Sequence, residues 1–275
     1  MRINSNHIIQ CMQDLYDCDL GVYDSGFLEN TVLERFGAFA CQTPDDYIRV
    51  LSQNAGEAGY LVAMLSNSHS EFFRNSLTFS VLEQFVIPQL FSCEKEDSGM
   101  EVRIWSAGCA AGQEPCSVGI LAEDFLQKKK QCCPYRIFGT DQVDSELEQA
   151  RNGIYPLSSL QNTKLSFIHS WFTQRGHDYQ VSEEILRKID YSNYNLLDKK
   201  SDAPPVSIFG NFDMILCCNV LYYYKPDVRK KLMRKFARSL KKGGYFVTSE
   251  AEVDFIQKSG LFRQVMNPAP VFVLI

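Results

Sequence analysis

The sequence predicts an α/β chain: a mostly parallel sheet, a small antiparallel excursion inserted into it, and an all-helical N-terminal segment. Three observations carry this. From about residue 100 short apolar strands alternate with helices, the first 75 residues keep helical spacing, and between Tyr155 and Leu197 the alternation breaks.

In the N-terminal segment Ile8, Ile9, Met12, Leu15 and Tyr16 recur at helical spacing, as do Phe27, Leu28, Val32 and Phe36. Thr43-Pro44-Asp45-Asp46 reads as a helix start, with Thr43 as N-cap and Pro44 in the first helical position. Val102–Trp105 is a strand that ends in the small-residue turn Ser106–Gly112, and a helix follows over Pro115–Leu126. Arg136–Thr140 is a second strand, ending at Asp141 before a helix over Ser145–Asn152. Ser170–Gln174 and Tyr179–Val181 read as a hairpin around the turn Arg175-Gly176-His177-Asp178. Phe212–Cys217 is a third parallel strand, Pro226–Leu240 a helix, and Gly243-Gly244 opens a fourth strand over Tyr245–Ser249. This divides the chain into a helical domain over 1–75 and a larger domain over 76–275, with the β-insert at about 156–194.

Composition narrows the function. With 45% apolar and 22% charged residues, the 275-residue chain is not wholly disordered. No apolar run reaches the roughly 18 residues that span a bilayer. Nor does an apolar stretch follow Arg2, so the reading is a cytoplasmic protein with no membrane insertion. The ten cysteines are scattered, without CxxC or Cys/His spacing, which reads as reduced thiols and no metal site. Residues 1–75 hold four arginines, no lysine and ten acids, a net −6, which leaves +1 for the remainder. Nucleic acid needs cationic surface and is not expected as a partner.

Ligands of a parallel sheet sit beyond the carboxyl ends of its strands. Three features fall there. The turn Gly108–Gly112 lacks GxGxxG, and the helix after it opens with Gln113-Glu114-Pro115. A carboxylate at a helix start repels a phosphate but suits a ligand amine. Asp141, roughly 30 residues on, is placed like an acid that binds ribose hydroxyls. Asn219 follows the third strand. Singly, each acid has a structural explanation: Glu114 as a first-turn acid, Asp141 as a helix cap. Together, ribose plus amine without a phosphate cradle point to S-adenosylmethionine (SAM).

The chain also resembles a known family. His69–Arg74, Ile104–Gly108, Gly112–Pro115, Gly139–Asp141, Ala150–Tyr155, Asn195–Leu197 and Asn219–Tyr223 match, in order, the chemotaxis receptor methyltransferases of the CheR type. These are SAM-dependent protein-glutamate O-methyltransferases with a helical N-terminal domain, a Rossmann-like catalytic domain and an inserted three-stranded β-subdomain. The resemblance implies that Arg74 and Tyr223 flank the transferring methyl and its acceptor. It places Glu114 on the methionine amine, Asp141 on the ribose, and Asn195 and Leu196 beside the adenine. Ser68 and Ser70 stand where the family has cofactor-contacting Asn and Thr, and Cys217, Cys218 and Asn219 occupy further cofactor positions. The implied partners are the cytoplasmic helices of chemoreceptors, and the implied product of the cofactor is S-adenosyl-L-homocysteine.

Three departures stand out. Cys217-Cys218-Asn219 replaces the family's Cys-Arg-Asn and removes a cation. The stretch Thr31–Ala40, where the family has an arginine-rich helix that faces the receptor, has only Arg35. The hairpin turn Arg175–Asp178 is shorter than in members that hold a receptor's tether peptide, so no tether is expected. Two alternatives fit the same residues: a catalytically weak SAM-binding signalling module, and a methyltransferase for a non-receptor substrate.

Overall fold

The computed structural model describes residues 5–66, 70–92 and 101–275. The chain forms two compact units, Met1–Asn67 with Val220–Lys231, and Ser68–Asn219 with Leu232–Ile275.

In the first unit four helices form: α1 (Asn6–Tyr16), α2 (Ser25–Ala38), α3 (Pro44–Gln53) and α4 (Ala55–Leu65). Each buries one apolar stripe, with Ile8 and Met12 on α1, Leu28, Val32 and Phe36 on α2, Tyr47 and Leu51 on α3, and Leu61 and Leu65 on α4. Thr43 caps α3 in a reciprocal capping box with Asp46, and Pro44 stands in the first turn, as the sequence predicts.

The second unit opens with α5 (Ser76–Val81), which runs through a π-turn into α6 (Ile87–Leu90). The sheet then builds up from β1 (Val102–Ala107), α7 (Gln113–Lys129), β2 (Tyr135–Asp141) and α8 (Asp144–Asn152). The excursion holds β3 (Ile154–Pro156), α9 (Leu165–Trp171), β4 (Phe172–Arg175) and β5 (Asp178–Val181). After α10 (Glu183–Leu186) come β6 (Ile189–Asn193), β7 (Phe212–Leu216), α11 (Pro226–Ser239), which up to Lys231 belongs to the first unit, and β8 (Leu240–Val247). Then α12 (Val253–Lys258), β9 (Phe262–Gln264) and β10 (Val271–Leu274) close the chain.

The large sheet has the order β6-β2-β1-β7-β8-β10-β9, parallel from β6 to β8, with β10 antiparallel to both β8 and β9. β3, β5 and β4 form the separate antiparallel sheet. Every residue of β7 is buried, as expected of a central strand with both faces covered. Trp105 is fully buried among Phe212, Phe236 and Tyr194, and its indole donates to Thr140 Oγ1. Among the described residues no helix is long and apolar enough to cross a membrane.

Three sequence expectations need correction. Ser170 and Trp171 end a helix rather than begin the hairpin strand, because the apolar side chains Phe167 and Trp171, four residues apart, share one buried helix face. Ile189–Asn193 lies within the expected insert range but pairs in parallel with β2. Its alternating Asp190 and Ser192 mark a half-covered edge strand, so it shows no apolar run. β8 starts at Leu240 rather than beyond Gly243-Gly244, since an irregularity in register lets Leu240 pair with Phe212 before Tyr245 pairs with Met214.

Candidate active site

The strand order reverses between β1 and β7, with β2 and β6 on one side and β8 on the other. Loops that leave the carboxyl ends of β1 and β7 diverge there and open a crevice. The Gly108–Gly112 turn, Asp141 and the Cys217–Asn219 segment all leave the sheet at this edge. Gly112 has φ of 88°, and a Cβ on it would lie 2.7 Å from both Ala150 Cβ and the Tyr191 hydroxyl. Only glycine lets α7 start this close to α8 and β6.

Glu114 stands in the first turn of α7, and Ser106 Oγ at the end of β1 donates to its Oε1 at 2.6 Å. The Cys218 thiol is its other hydrogen-bond partner. Burial pushes the Glu114 carboxyl above its ordinary value, and the charge of Glu252 adds to the rise, while the Cys218 and Ser106 bonds and the charge of Arg74 oppose it. Glu252 is itself only 2% exposed, and its Oε2 accepts from Thr248 Oγ1, Ser249 N–H and Ser249 Oγ. Burial likewise pushes the Cys217 and Cys218 thiols far up, so both are neutral S–H groups. In the same turn Gln113 Oε1 is buried without a hydrogen-bond partner among the described residues.

Asp141 ends β2. Its Oδ2 accepts the Ala110 N–H at 2.9 Å and its Oδ1 the Val143 N–H at 3.0 Å. Burial raises this carboxyl too, against the lowering effect of the backbone donors of Val143, Ala110 and Gln142. These bonds fix the plane of the carboxylate, which keeps lone-pair capacity for a ligand hydroxyl.

Asn195 and Leu196 lie in the loop after β6. The Asn195 side chain accepts the Leu197 N–H and so closes a local turn. Beneath it Lys235 of α11, 6% exposed, donates to the Leu196 carbonyl at 2.8 Å, the Asp198 carbonyl at 2.6 Å and the Tyr194 hydroxyl at 3.0 Å. Asn219 has φ of 60°, a left-handed conformation that Asn tolerates better than most residues.

Arg74 is exposed on a segment pinned at both sides. Phe73 N–H donates to Ser117 Oγ of α7 at 3.1 Å, and Asn75 Oδ1 caps α5 by accepting the Thr78 N–H. Phe72 is fully buried, edge-on to Tyr155 and Phe172. Ser70 opens this segment, half-buried, and Ser68 lies outside the described residues. Tyr223 belongs to the first unit, where its hydroxyl accepts from Tyr222 at 2.7 Å and its ring packs 4.5 Å from that of Phe27.

Thus Ser106, Cys218 and Arg74 all act on the Glu114 carboxyl, and Asp141 binds the backbone of the turn that leads into the same helix. Sequence reasoning missed Ser106, Glu252 and Lys235. For Lys235 a signal exists, because it falls on the apolar stripe of α11 with Val228, Leu232, Phe236 and Ser239. The donor set fits a ligand that carries both an ammonium and vicinal hydroxyls.

Comparison with known proteins agrees. Residues 68–269 match the family described as CheR methyltransferase, SAM binding domain. A chemotaxis protein methyltransferase of Borreliella burgdorferi is 31% identical over 210 residues, covering 75% of this chain and 72% of that protein. One from Listeria innocua is 28% identical over 91% of this chain and 87% of its own length. The chain also matches, at 28% identity over 84% of its length, 23% of an uncharacterized 104.1 kDa protein of Rhodobacter capsulatus. The chain belongs to the CheR methyltransferase family, the SAM-dependent methyltransferases whose cofactor domain it carries.

Proposed function

We propose that this protein transfers a methyl group from SAM to glutamate side-chain carboxylates of a protein substrate, the cytoplasmic helices of chemoreceptors, and forms methyl esters. One observation carries the reading most: Glu114, a carboxylate raised by burial and hydrogen-bonded to the neutral donors Ser106 and Cys218, stands at the reversal point of the sheet. A cation is the ligand that such a site favours.

When bound, SAM supplies a sulfonium-activated methyl group and leaves as S-adenosyl-L-homocysteine. In this assignment Glu114 binds the methionine ammonium, Asp141 the ribose hydroxyls, and the loop of Asn195 and Leu196 the adenine. Ser68, Ser70, Cys217, Cys218 and Asn219 complete the contacts. Cys218 replaces the family's arginine with a neutral S–H donor, which leaves the charge of Glu114 to the ligand. The acceptor glutamate, with a reference pKa near ~4.3, is ionised at neutral pH and needs no general base. Its carboxylate needs alignment and freedom from water, since hydration blunts its nucleophilicity. Arg74 aligns it through charge-assisted bonds of roughly 1.5–3 kcal/mol each. Tyr223, assigned on the family motif, donates a further bond. The acceptor oxygen's electron pair forms the new C–O bond, and the C–S pair stays on sulfur.

The test is transfer of labelled methyl from SAM to receptor-rich membranes. Base-labile label on a receptor, lost with Arg74→Ala and with Asp141→Ala, is the expected result. Alkali-stable label overturns the carboxylate assignment, and equal labelling by all three proteins overturns the placement of the site. The reading carries a cytoplasmic location, where receptor methylation helices lie.

A second reading, a less acidic protein substrate, is favoured by one observation. Arg35, the lone arginine of α2, is spent inside its own unit on Glu57, at 2.8 and 2.6 Å. Labelling of a non-receptor protein in preference to receptors selects this reading.

A further inference from the structure

The loop before β7 presents an apolar prong that the cofactor site does not use. Val206, Ile208 and Phe209 are 42%, 75% and 86% exposed, in sequence beside a buried Ser207. The Phe209 N–H donates to the Ser207 carbonyl at 2.7 Å and closes a three-residue turn at Ile208, whose φ is 63° and ψ −57°. That conformation is strained for a β-branched residue and persists only where its surroundings impose it. Here they do. Arg103 donates to the carbonyls of Ser207 at 2.6 Å and Gly210 at 3.2 Å, and Ser207 Oγ donates to the Pro204 carbonyl. The prong is therefore built and held outward, rather than left loose.

Its base is ringed by cations. Arg238 binds Asp202 with two hydrogen bonds, Lys241 binds Asp213 at 2.8 Å, and Arg103 lies 3.7 Å from Glu101. The carboxylate of Asp198 accepts the Lys200 N–H. With those acids engaged, the exposed Lys199, Lys200 and Lys242 have no carboxylate partner among the described residues. The Val206–Phe209 turn leads into the amino end of β7, and Arg103, Lys241 and Lys242 lie at the amino ends of β1 and β8, the sheet edge opposite the cofactor crevice, while Lys199 and Lys200 lie on the loop that runs from β6 toward it.

We propose that this prong docks the protein peripherally on an anionic lipid surface, with Ile208 and Phe209 entering the boundary between headgroups and acyl chains and the lysines facing the headgroups. The composition favours lipid over a protein groove: protein interfaces are depleted in lysine, whereas an aromatic tip flanked by lysines is the makeup of interfacial membrane anchors. The opposite sheet edge stays accessible to cofactor and substrate.

Sedimentation of the full chain with vesicles of phosphatidylcholine, with and without 30 mol% phosphatidylglycerol, tests this. Three added lysine contacts predict at least about tenfold tighter binding to the anionic vesicles, weakened by added salt. Phe209→Ser should lose about tenfold of it, and the triple variant Lys199→Gln, Lys200→Gln, Lys242→Gln should bind both vesicles alike. Calorimetric SAM binding by each variant, unchanged from wild type, verifies the fold independently of methyl transfer. Wild type that ignores anionic vesicles, or Phe209→Ser that binds them equally, overturns the proposal. So does a prong that governs only self-association or capture of detergent-solubilised receptor.

Discussion

At the scale of single residues, Glu114 explains most. Its folded pKa is raised, so the stability it contributes is fully present below the ordinary carboxylate value and is lost as pH rises through the raised value. Ionising this buried group therefore costs the cofactor-free protein stability, and a bound ammonium offsets that cost. Glu114→Gln should raise the melting temperature of the free protein at pH 7, yet weaken SAM binding about ten- to hundred-fold, the size of a lost charged hydrogen bond. Differential scanning calorimetry and titration calorimetry measure the two halves. The same shift predicts that SAM affinity falls as the medium is acidified, beginning at a higher pH than an ordinary glutamate would give. Lys235 is the second such residue. Burial lowers its pKa, yet its three oxygen partners hold the loop of Asn195 and Leu196 in place. Lys235→Met should cost roughly 1–3 kcal/mol of stability through the bonds left unmade. In steady-state kinetics it should raise the KM for SAM more than it lowers kcat, because the loop it shapes is the one assigned to the adenine in the proposed function.

Elements decide where these residues stand. The segment that bears Arg74 is fixed by one hydroxyl on α7, since Ser117 Oγ accepts the Phe73 N–H while donating to the Gln113 carbonyl. Ser117→Ala leaves that N–H buried and unpaired, and kcat should fall while SAM affinity, measured by calorimetry, changes little. In the first unit, Arg35 of α2, Tyr47 of α3 and Glu57 of α4 tie three helices together. Burial works to raise Glu57, but the bonds from Arg35 and Tyr47 prevail and hold it below its ordinary value. This stability is present above the ordinary carboxylate pKa and is lost as pH falls through the depressed value. Arg35→Met leaves Glu57 with Tyr47 alone and should destabilise the unit by about 1.5–3 kcal/mol, the size of lost hydrogen bonds to a charged group. A denaturation curve monitored by circular dichroism checks it.

For the whole molecule, charge is distributed unevenly: residues 1–75 are net −6 and the rest is nearly balanced. Transfer to a soluble acidic receptor fragment should therefore speed up as salt rises from about 10 to 150 mM, because screening shortens from roughly 30 to 8 Å and relieves like-charge repulsion. A rate that falls with salt would mean that a cationic surface guides the encounter. What the sequence made legible follows the same logic of range. Gly112, Glu114 and Asp141 could be placed because each follows directly on an apolar strand or opens a helix, so chain-local patterns fix them. Glu252 could not, because its role arises only when distant segments pack, and Lys235 shows in the sequence only as a cation on the apolar stripe of α11, its three oxygen partners coming from a distant loop. β6 stayed hidden because a half-polar edge strand lacks an apolar run, and β9 and β10 because short antiparallel strands at the chain's end carry little period. The motifs fixed the family and the fold, and the packing revealed which charges are already spent.

The central claim, a cationic nucleoside held by Glu114 and Asp141 beyond the ends of β1 and β2, is tested most directly by calorimetric titration of SAM into three proteins. Wild type should bind, while Glu114→Gln and Asp141→Asn should each bind at least about tenfold more weakly with folds intact by circular dichroism. Undiminished binding by both variants would contradict it.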